Sequence, residues 1–184
     1  RRFYDHVIVC NGVFCRPHVP DFDGAERYSG DLMHSSQLTE RSQLQGRRVI
    51  VIGGGKSAYD CAEVSGKCAD SCHLVFRSPH WIVPRYIGRL RTDWLILTRF
   101  AQAFLPYHTK HGVPALLHRW AAPLVSLYWT LQTWVVKKLA NAPPELEPEL
   151  ALPKGFQNIG AGTDVFDEVR AGHINPIRSE ISAF

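Results

Sequence analysis

The feature that most constrains the fold of this chain is a β-branched run that ends at three glycines. Residues 49–52, Val-Ile-Val-Ile, lead directly into the turn formed by Gly53, Gly54, Gly55, Lys56, Ser57 and Ala58. Four consecutive β-branched residues are typical of a central parallel strand that is buried on both faces. A strand that stops at glycines and is followed by a helix is typical of dinucleotide-binding turns.

The spacing of the small residues in this turn matches a Gly-x-Gly-x-x-Ala fingerprint. Phosphate binding needs backbone N–H groups that approach an anion closely, and side chains at Gly53 and Gly55 would obstruct that approach. Ala58 takes the third position, where the helix must pack closely on the strand. We therefore predict that residues 53–58 bind the pyrophosphate of a dinucleotide, with the Ser57 hydroxyl as an additional donor.

A second strand completes the unit. Small residues recur at helical spacing between residues 57 and 68, and the run His-Leu-Val-Phe-Arg follows at 73–77. Strand, glycine-rich turn, helix and strand over about thirty residues is the order of a βαβ unit. The sequence therefore predicts an α/β, Rossmann-like dinucleotide-binding domain with a parallel βαβ core and an added, mostly helical segment.

The end of the second strand predicts which dinucleotide is bound. An acidic residue about 20 positions after the turn would hold the 2′-hydroxyl of NAD, but Arg77 occupies this place. A guanidinium attracts the 2′-phosphate of NADP and can bind it through two N–H groups, and Ser78 supplies a second donor. NADP is the predicted cofactor.

The remaining segments have weaker signals. The apolar pattern of residues 4–10 predicts a buried strand. Residues 86–139 are predicted to form several short helices interrupted by prolines. Residues 141–148 read as an extended acidic linker. A short helix at 165–171, N-capped by Thr163 or Asp164 and ended by Gly172, is followed by a strand at 173–177.

The charge pattern limits the classes of partner. A net charge of +4 is too small to indicate nucleic acid, but between residues 77 and 138 Asp93 is the only acidic residue among nine basic ones. That segment is suited to anions or a membrane surface. The apolar run 121–136 is shorter than the roughly 20 residues that a membrane span needs. With an odd number of scattered cysteines, we expect a reducing, cytoplasmic location or the cytosolic face of a membrane.

Three other chemistries are disfavoured. Residues 55–59 resemble the nucleophile elbow of serine hydrolases, but Tyr59 stands where the elbow needs a small residue. The three histidines that lie closest together in the sequence, His108, His111 and His118, lack the accompanying ligands of a metal site. Cys68 and Cys72 are too far apart for a Cys-x-x-Cys redox centre.

Further motifs resemble the flavin-containing and Baeyer–Villiger monooxygenase superfamily over most of the chain. Residues 28–38 resemble its fingerprint Phe-x-Gly-x-x-x-His-x-x-x-Trp/Phe, with Tyr28, Gly30 and His34 at the matching positions. Leu38 replaces an aromatic residue, which disfavours the Baeyer–Villiger branch. The segment that ends in Asn11 and Gly12 resembles the strand end that leads from the flavin domain into the nicotinamide domain, and this resemblance implies that both residues bind the cofactor. Residues 77–85 resemble the segment after the second strand.

The resemblance implies a flavoprotein in which NADPH reduces FAD, and O2 supplies one oxygen atom to the nitrogen, sulfur or carbon of a small organic substrate. It gives His34 a structural role. We expect residues 1–45 to be a strand and linker of an FAD domain that lies outside this sequence, because no glycine-rich turn precedes Tyr4. Residues 46–85 are then the NADP-binding core, 86–140 a helical, basic and aromatic insertion, and 141–184 a linker, helix and return strand.

Two alternatives remain open from the sequence. One is an NADPH-dependent flavoprotein reductase without an oxygenation step. The other is a non-catalytic nucleotide-binding module whose 86–140 segment contacts a membrane surface. None of these hypotheses includes a bound metal or a nucleic-acid partner.

Overall fold

A computed structural model describes residues 3–9, 12, 16–87, 89–96, 98–105, 111–154, 159–162 and 164–183. The chain forms two compact units, Arg1–Thr39 with Ile181–Phe184, and Glu40–Glu180. The strands are β1 (Arg48–Ile52), β2 (Ser71–Phe76), β3 (Trp81–Val83), β4 (Tyr86–Ile87), β5 (Leu90–Arg91), β6 (Ile159–Ala161) and β7 (Ile174–Arg178). The α-helices are α1 (Lys56–Cys68), α2 (Asp93–Ile96), α3 (Arg99–Phe104), α4 (Val113–Trp120), α5 (Ala122–Ala140) and α6 (Val165–Arg170).

The predicted βαβ unit is confirmed in the larger unit. Strands β1 and β2 are parallel, from the pair Arg48 and Ser71 to the pair Ile52 and Val75, and α1 connects them. Strand β7 adds a third parallel strand on the other side of β2, giving the order β1-β2-β7. The chain therefore has an α/β, Rossmann-like fold in which the glycine turn lies at the carboxyl end of β1.

Helix α1 packs against this sheet at short range. Ala62 and Ser65 are buried, and a Cβ atom at Gly66 would lie 2.8 Å from Cγ1 of Ile174 on β7. Small residues on one face of α1 therefore allow the helix axis to approach the strands closely. Around them lies the first hydrophobic core, which contains Tyr59, Leu74, Phe76, Leu146, Val165, Phe166 and Ile174.

The prediction that residues 49–52 form a central strand buried on both faces is wrong. Strand β1 is at one edge of the three-stranded sheet, and Ile50 is 61% exposed. Val51 packs against the first core, whereas Ile50 and Ile52 point to the other face. A run of β-branched residues reports strand propensity, but the burial of each face depends on elements elsewhere in the chain.

The segment after β3 is mostly helical but contains one long helix. The prediction of several short helices is correct for α2, α3 and α4, and wrong for α5, which has 19 residues. Pro114 and Pro123 lie in the first turns of α4 and α5, where a missing N–H removes no helical hydrogen bond. Pro114 and Pro123 therefore begin helices, contrary to the prediction that they interrupt them.

A second hydrophobic core joins these helices to β3. It contains Trp81, Val83, Trp129, Val136 and Leu152, and β3 pairs in parallel with β6 beside it. Both buried indoles donate hydrogen bonds to main-chain oxygens: Trp81 Nε1 to Leu150 at 2.7 Å, and Trp129 Nε1 to Phe104 at 2.9 Å. Each tryptophan therefore fixes the position of a neighbouring segment as well as filling volume.

The carboxyl-terminal segment follows the predicted order with two corrections. The region 141–148 is not simply extended, because Pro144–Leu146 is a 3₁₀ turn that buries Leu146 in the first core. Helix α6 ends before Gly172, whose φ of 79° is the expected left-handed conformation. Asp164 is the N-cap residue, but its side chain makes no capping bond. Thr163 lies outside the described residues.

The smaller unit differs from the prediction at its start. Residues 3–9 form no strand, and their apolar side chains are exposed, with Ile8 at 85%. A strand needs a neighbour for its N–H and C=O groups, and no described strand pairs with this segment. The apolar pattern of residues 4–10 is thus not matched by a buried strand in residues 3–9. Cys10 lies outside the described residues.

Candidate dinucleotide-binding site

Gly53 ties the turn to the neighbouring strand. Its φ of 136° favours glycine, and its N–H donates a 2.8 Å hydrogen bond to the carbonyl of Val75 on β2. A Cβ atom at Gly53 would lie 3.2 Å from the Cβ atom of Ala58 in the first turn of α1. The first and third positions of the fingerprint therefore face each other, which explains why both residues are small.

Gly54 brings the turn against the end of β2. A Cβ atom at this position would lie 2.4 Å from the carbonyl oxygen of Ser78, so no other residue fits without movement of the main chain. The turn after β1 and the segment after β2 are thus in contact. The two regions that the sequence assigns to pyrophosphate and 2′-phosphate are brought together.

Gly55 leaves open space at the start of α1. Its φ of −90° is allowed to any residue, and the nearest atoms to a Cβ there belong to the His80 ring, at 3.6 and 3.7 Å. The helix has no side-chain cap at this end. The first N–H groups of a helix have no carbonyl partner within it, and the helix dipole favours an anion there. A phosphate group fits this end of α1.

Lys56 and Ser57 differ in what they offer to a ligand. The Lys56 ammonium makes an ion pair with Asp60, one turn further along α1, and a Cβ on Gly160 of β6 would lie 3.5 Å from the Lys56 side chain. Ser57 is exposed. The Ser57 hydroxyl is therefore accessible from solvent, while the Lys56 charge is partly neutralised.

Arg77 and Ser78 are both exposed at the end of β2. No hydrogen-bond acceptor for the Arg77 guanidinium is found within the described ranges, so this cation is accessible to a ligand. The structure adds a second guanidinium that the sequence analysis missed. Arg178, at the end of β7, donates from Nε to the carbonyl of Arg77 at 3.2 Å and pairs with Glu149 at 2.5 Å. Only the sheet order brings Arg178 beside Arg77.

His80 is the other residue that the sequence analysis missed. His80 lies four positions after the end of β2, and its ring faces Gly55. Its main-chain N–H donates a 3.4 Å hydrogen bond to the Tyr59 hydroxyl. Tyr59 is fully buried and packs edge-to-face against Phe166. Burial raises the pKa of the Tyr59 hydroxyl, and burial lowers the pKa of the His80 imidazole. The helix core thus fixes the main chain that carries His80.

The fingerprint residues of the smaller unit make local contacts. The ring of Tyr28 lies over Gly30, where a Cβ would come within 2.5 Å of the Tyr28 hydroxyl oxygen. His34 caps the 3₁₀ turn Ser35–Gln37: its Nδ1 accepts from the Ser36 N–H at 3.2 Å, and its own N–H donates to Gln37 Oε1 at 2.6 Å. These contacts stabilise the 3₁₀ turn.

Few contacts are described for the remaining predicted positions. Gly12 is exposed with a φ of 62°, and a Cβ there would meet no atom within 4 Å. Asn11 lies outside the described residues, as does His108 of the histidine group. Across the described part of the chain, no cluster of three metal-ligating side chains occurs and no helix is long and apolar enough to cross a membrane.

The comparisons with known proteins point to one family. The sequence model described as flavin-binding monooxygenase-like matches residues 1–121, about two thirds of this chain. This region includes the smaller unit's fingerprint, the glycine turn and the end of β2.

Several named relatives are similar to part of this chain. The 4-hydroxybenzoate brominase (decarboxylating) of Marinomonas mediterranea is 31% identical over 60% of this chain and 22% of its own length. Flavin-containing monooxygenase 3 of Rattus norvegicus is 32% identical over 64% of this chain and 22% of its own length. Dimethylaniline monooxygenase (N-oxide-forming) 2 of Cavia porcellus is 37% identical over 45% and 16%. The chain thus spans about a fifth of the relatives it matches.

Proposed function

Because this chain belongs to the flavin-binding monooxygenase-like family, we propose that it is the NADPH-binding part of an FAD-dependent monooxygenase. The protein would use NADPH and O2 to oxygenate a small organic substrate at nitrogen, sulfur or carbon. Among the relatives' names are a brominase and an N-oxide-forming enzyme, so the names alone do not select a substrate.

The observation that carries this proposal is the contact between the glycine turn and the end of β2. Gly54 fits only because it lacks a Cβ atom opposite the Ser78 carbonyl, and Gly55 leaves the start of α1 open. A ligand that spans both places would need an anionic group at each. NADP carries a pyrophosphate and a 2′-phosphate, which meets this requirement.

The residues have separate tasks in this proposal. The N–H groups of residues 55–58 and the Ser57 hydroxyl bind the pyrophosphate, and Arg77 and Ser78 bind the 2′-phosphate. When bound, NADPH supplies a hydride to the flavin. The protein's part is to hold the two phosphate positions fixed. Tyr28, Gly30 and His34 stabilise the segment that precedes the nucleotide-binding core. Asn11 and Gly12 would contact the cofactor.

The cofactor proposal is tested by titrating the chain with NADPH and with NADH. We expect NADPH to bind more tightly, and Arg77→Ala to weaken NADPH binding about tenfold or more while leaving NADH binding nearly unchanged. Arg99→Ala removes an exposed arginine from another part of the fold and is the matched control. Equal affinities of the parent chain for the two nucleotides would refute the choice of NADP.

The oxygenation proposal needs the longer protein that carries the flavin. With FAD bound, NADPH consumption should match the formation of an oxygenated product from an amine or sulfide. NADPH consumption that yields only hydrogen peroxide with every substrate tested would favour the alternative, a flavoprotein reductase without an oxygenation step.

A second candidate activity is contact with a membrane surface, and one face of α5 supports it. Four apolar side chains, Leu124, Leu127, Leu131 and Trp134, recur at helical spacing and are 55–64% exposed. Within residues 86–140, seven basic side chains accompany Asp93 as the single acid. An apolar stripe with basic neighbours fits the interface of an anionic bilayer, at the cytosolic face of a membrane. The charge pattern does not complement a basic partner.

Sedimentation with vesicles tests this contact. We expect the chain to bind phosphatidylserine-containing vesicles more than phosphatidylcholine vesicles, with binding reduced by salt and by the pair Leu127→Gln and Leu131→Gln. Leu150→Gln, an exposed leucine outside α5, is the control for general stickiness. Binding that is insensitive to salt and to the paired substitution would sink the membrane proposal.

A further inference from the structure

The ring of His80 occupies the space next to the one glycine of the turn that the fold itself does not require. At Gly53 and Gly54 a Cβ would meet Ala58 or the Ser78 carbonyl at 3.2 Å or less. At Gly55 it would meet only the imidazole of His80, at 3.6 Å from Cε1 and 3.7 Å from Nδ1, which is ordinary contact. Packing thus explains two glycines, and a ligand is the remaining reason for the third.

The position of His80 is set by the scaffold. Its N–H is held by the hydroxyl of Tyr59, which is completely buried on α1, and the next residue, Trp81, is 2% exposed on β3. The side chain is therefore carried by a fixed main chain on both sides. A ring placed in this way contributes to binding with little loss of conformational freedom.

We propose that His80 is a binding residue for the pyrophosphate of the nucleotide and that it gains a proton when the nucleotide binds. This inference rests on the proposed NADPH site and adds to it a side chain that lies beside Gly55 at the open end of α1. In the complex, the imidazolium would donate a charge-assisted hydrogen bond to a phosphate oxygen, beside the main-chain N–H groups.

The surroundings of His80 favour this change of charge. Burial lowers the pKa of the free imidazole, so the side chain is mostly neutral before binding at neutral pH. A nearby phosphate acts in the opposite direction and raises the pKa of the same group. Affinity therefore falls as the pH rises through the interval between the pKa of the free protein and the higher pKa of the complex.

The other ionisable groups near His80 do not share this behaviour. On α1 these are the ion pair Lys56 and Asp60, with the Tyr59 hydroxyl. His80 also lines a cavity of about 330 Å³, together with the charged side chains of Lys137, Lys138 and Glu147. Lys137 and Glu147 form an ion pair with each other, as do Lys56 and Asp60. Histidine is the side chain whose ordinary titration falls between about pH 5 and 8. A pH effect in this range is therefore assigned to His80 or to the nucleotide.

The test compares NADP⁺ binding by the parent chain and by His80→Gln as a function of pH. The 2′-phosphate of the nucleotide also titrates, but it contributes equally to both proteins and cancels in the ratio of dissociation constants. We expect His80→Gln to weaken binding about tenfold near pH 6 and much less near pH 8. The matched control, His111→Gln, changes an exposed histidine on another segment and should leave the ratio at one.

A direct measurement complements the ratio. The pKa of the His80 ring, followed by NMR of the imidazole nitrogens, should rise on addition of NADP⁺, whereas the NMR signals of the His111 ring should not respond to NADP⁺. An unchanged His80 pKa, a ratio that does not vary with pH, or tighter binding by His80→Ala would overturn this inference while leaving the NADPH proposal intact. Failure of the parent chain to bind either NADPH or NADP⁺ would overturn both.

Discussion

The carbonyl oxygen of Ser78 lies where a side chain at Gly54 would begin, at 2.4 Å from the Cβ position. This distance is far below van der Waals contact, and both partners belong to the main chain. Gly54→Ala must therefore move the turn away from the end of β2. We expect a loss of about 1–3 kcal/mol in the free energy of unfolding, measured by urea denaturation, together with loss of NADPH binding.

Gly55→Ala is the matched comparison for that prediction. Its backbone φ of −90° and the 3.6 Å distance to His80 allow a methyl group. We expect the unfolding free energy to change by less than about 1 kcal/mol, while NADPH affinity falls because the methyl group obstructs the phosphate. Equal stability losses in the two variants would contradict the separation of fold and ligand requirements at these positions.

Arg178 is expected to contribute to cofactor choice because it reaches the main chain of Arg77 from β7. Arg178→Ala should weaken NADPH binding about threefold to tenfold and NADH binding less, since the lost charge lies near the 2′-phosphate. Glu149 competes for the same guanidinium at 2.5 Å. Glu149→Gln should therefore strengthen NADPH binding, and isothermal titration of both variants measures the opposed changes.

The hydrogen bond of the buried Trp81 indole predicts that replacing this tryptophan lowers stability more than replacing an exposed one. Trp81→Phe keeps an aromatic ring but leaves the Leu150 carbonyl without its 2.7 Å donor, which should cost about 1–3 kcal/mol of unfolding free energy. Trp120 is 75% exposed, and Trp120→Phe should change stability by less than about 0.5 kcal/mol. Urea unfolding followed by circular dichroism compares the two, and similar losses would contradict the structural role of Trp81.

Cys72 should be protected from thiol reagents. Burial raises the pKa of its thiol to about 11 from an ordinary value of 9.0, whereas Cys68 is only partly buried. In native protein, iodoacetamide should label Cys72 more slowly than Cys61 and Cys68, as identified by peptide mass spectrometry. Since the unfolded chain loses this proton first, the thiol lowers stability as the pH rises from about 9 to about 11. Labelling of Cys72 as fast as Cys68 would contradict the burial.

The elements that local sequence determines were predicted well. A β-branched run, glycines at fixed spacing and small residues at helical spacing determine β1, the turn and α1, because each depends on neighbours close in the chain. His34 shows what such a pattern leaves out. The family resemblance implied a structural role for it, but its hydrogen bonds to Ser36 and Gln37 are visible only in the fold.

The features that the sequence did not predict depend on distant segments. The exposure of Ile50 follows from the sheet order, and Arg178 reaches Arg77 only because β7 pairs with β2. His80 lies in residues 77–85, which resemble the family's segment after the second strand, but no spacing rule predicts that its ring lies beside Gly55. The prediction fails at Pro123 because a proline is tolerated in the first turn of a helix although it breaks the middle of one.

The hydrogen bond from Gly53 to Val75 makes the nucleotide site part of the sheet's cooperative folding unit. The two residues are 22 positions apart, so the turn reaches its left-handed conformation together with the pairing of β1 and β2. The Gly53 amide should therefore exchange its hydrogen for deuterium at the slow rate of the sheet, unlike a flexible loop amide. Anything that loosens β2 would also reduce the fraction of molecules that are competent to bind the cofactor.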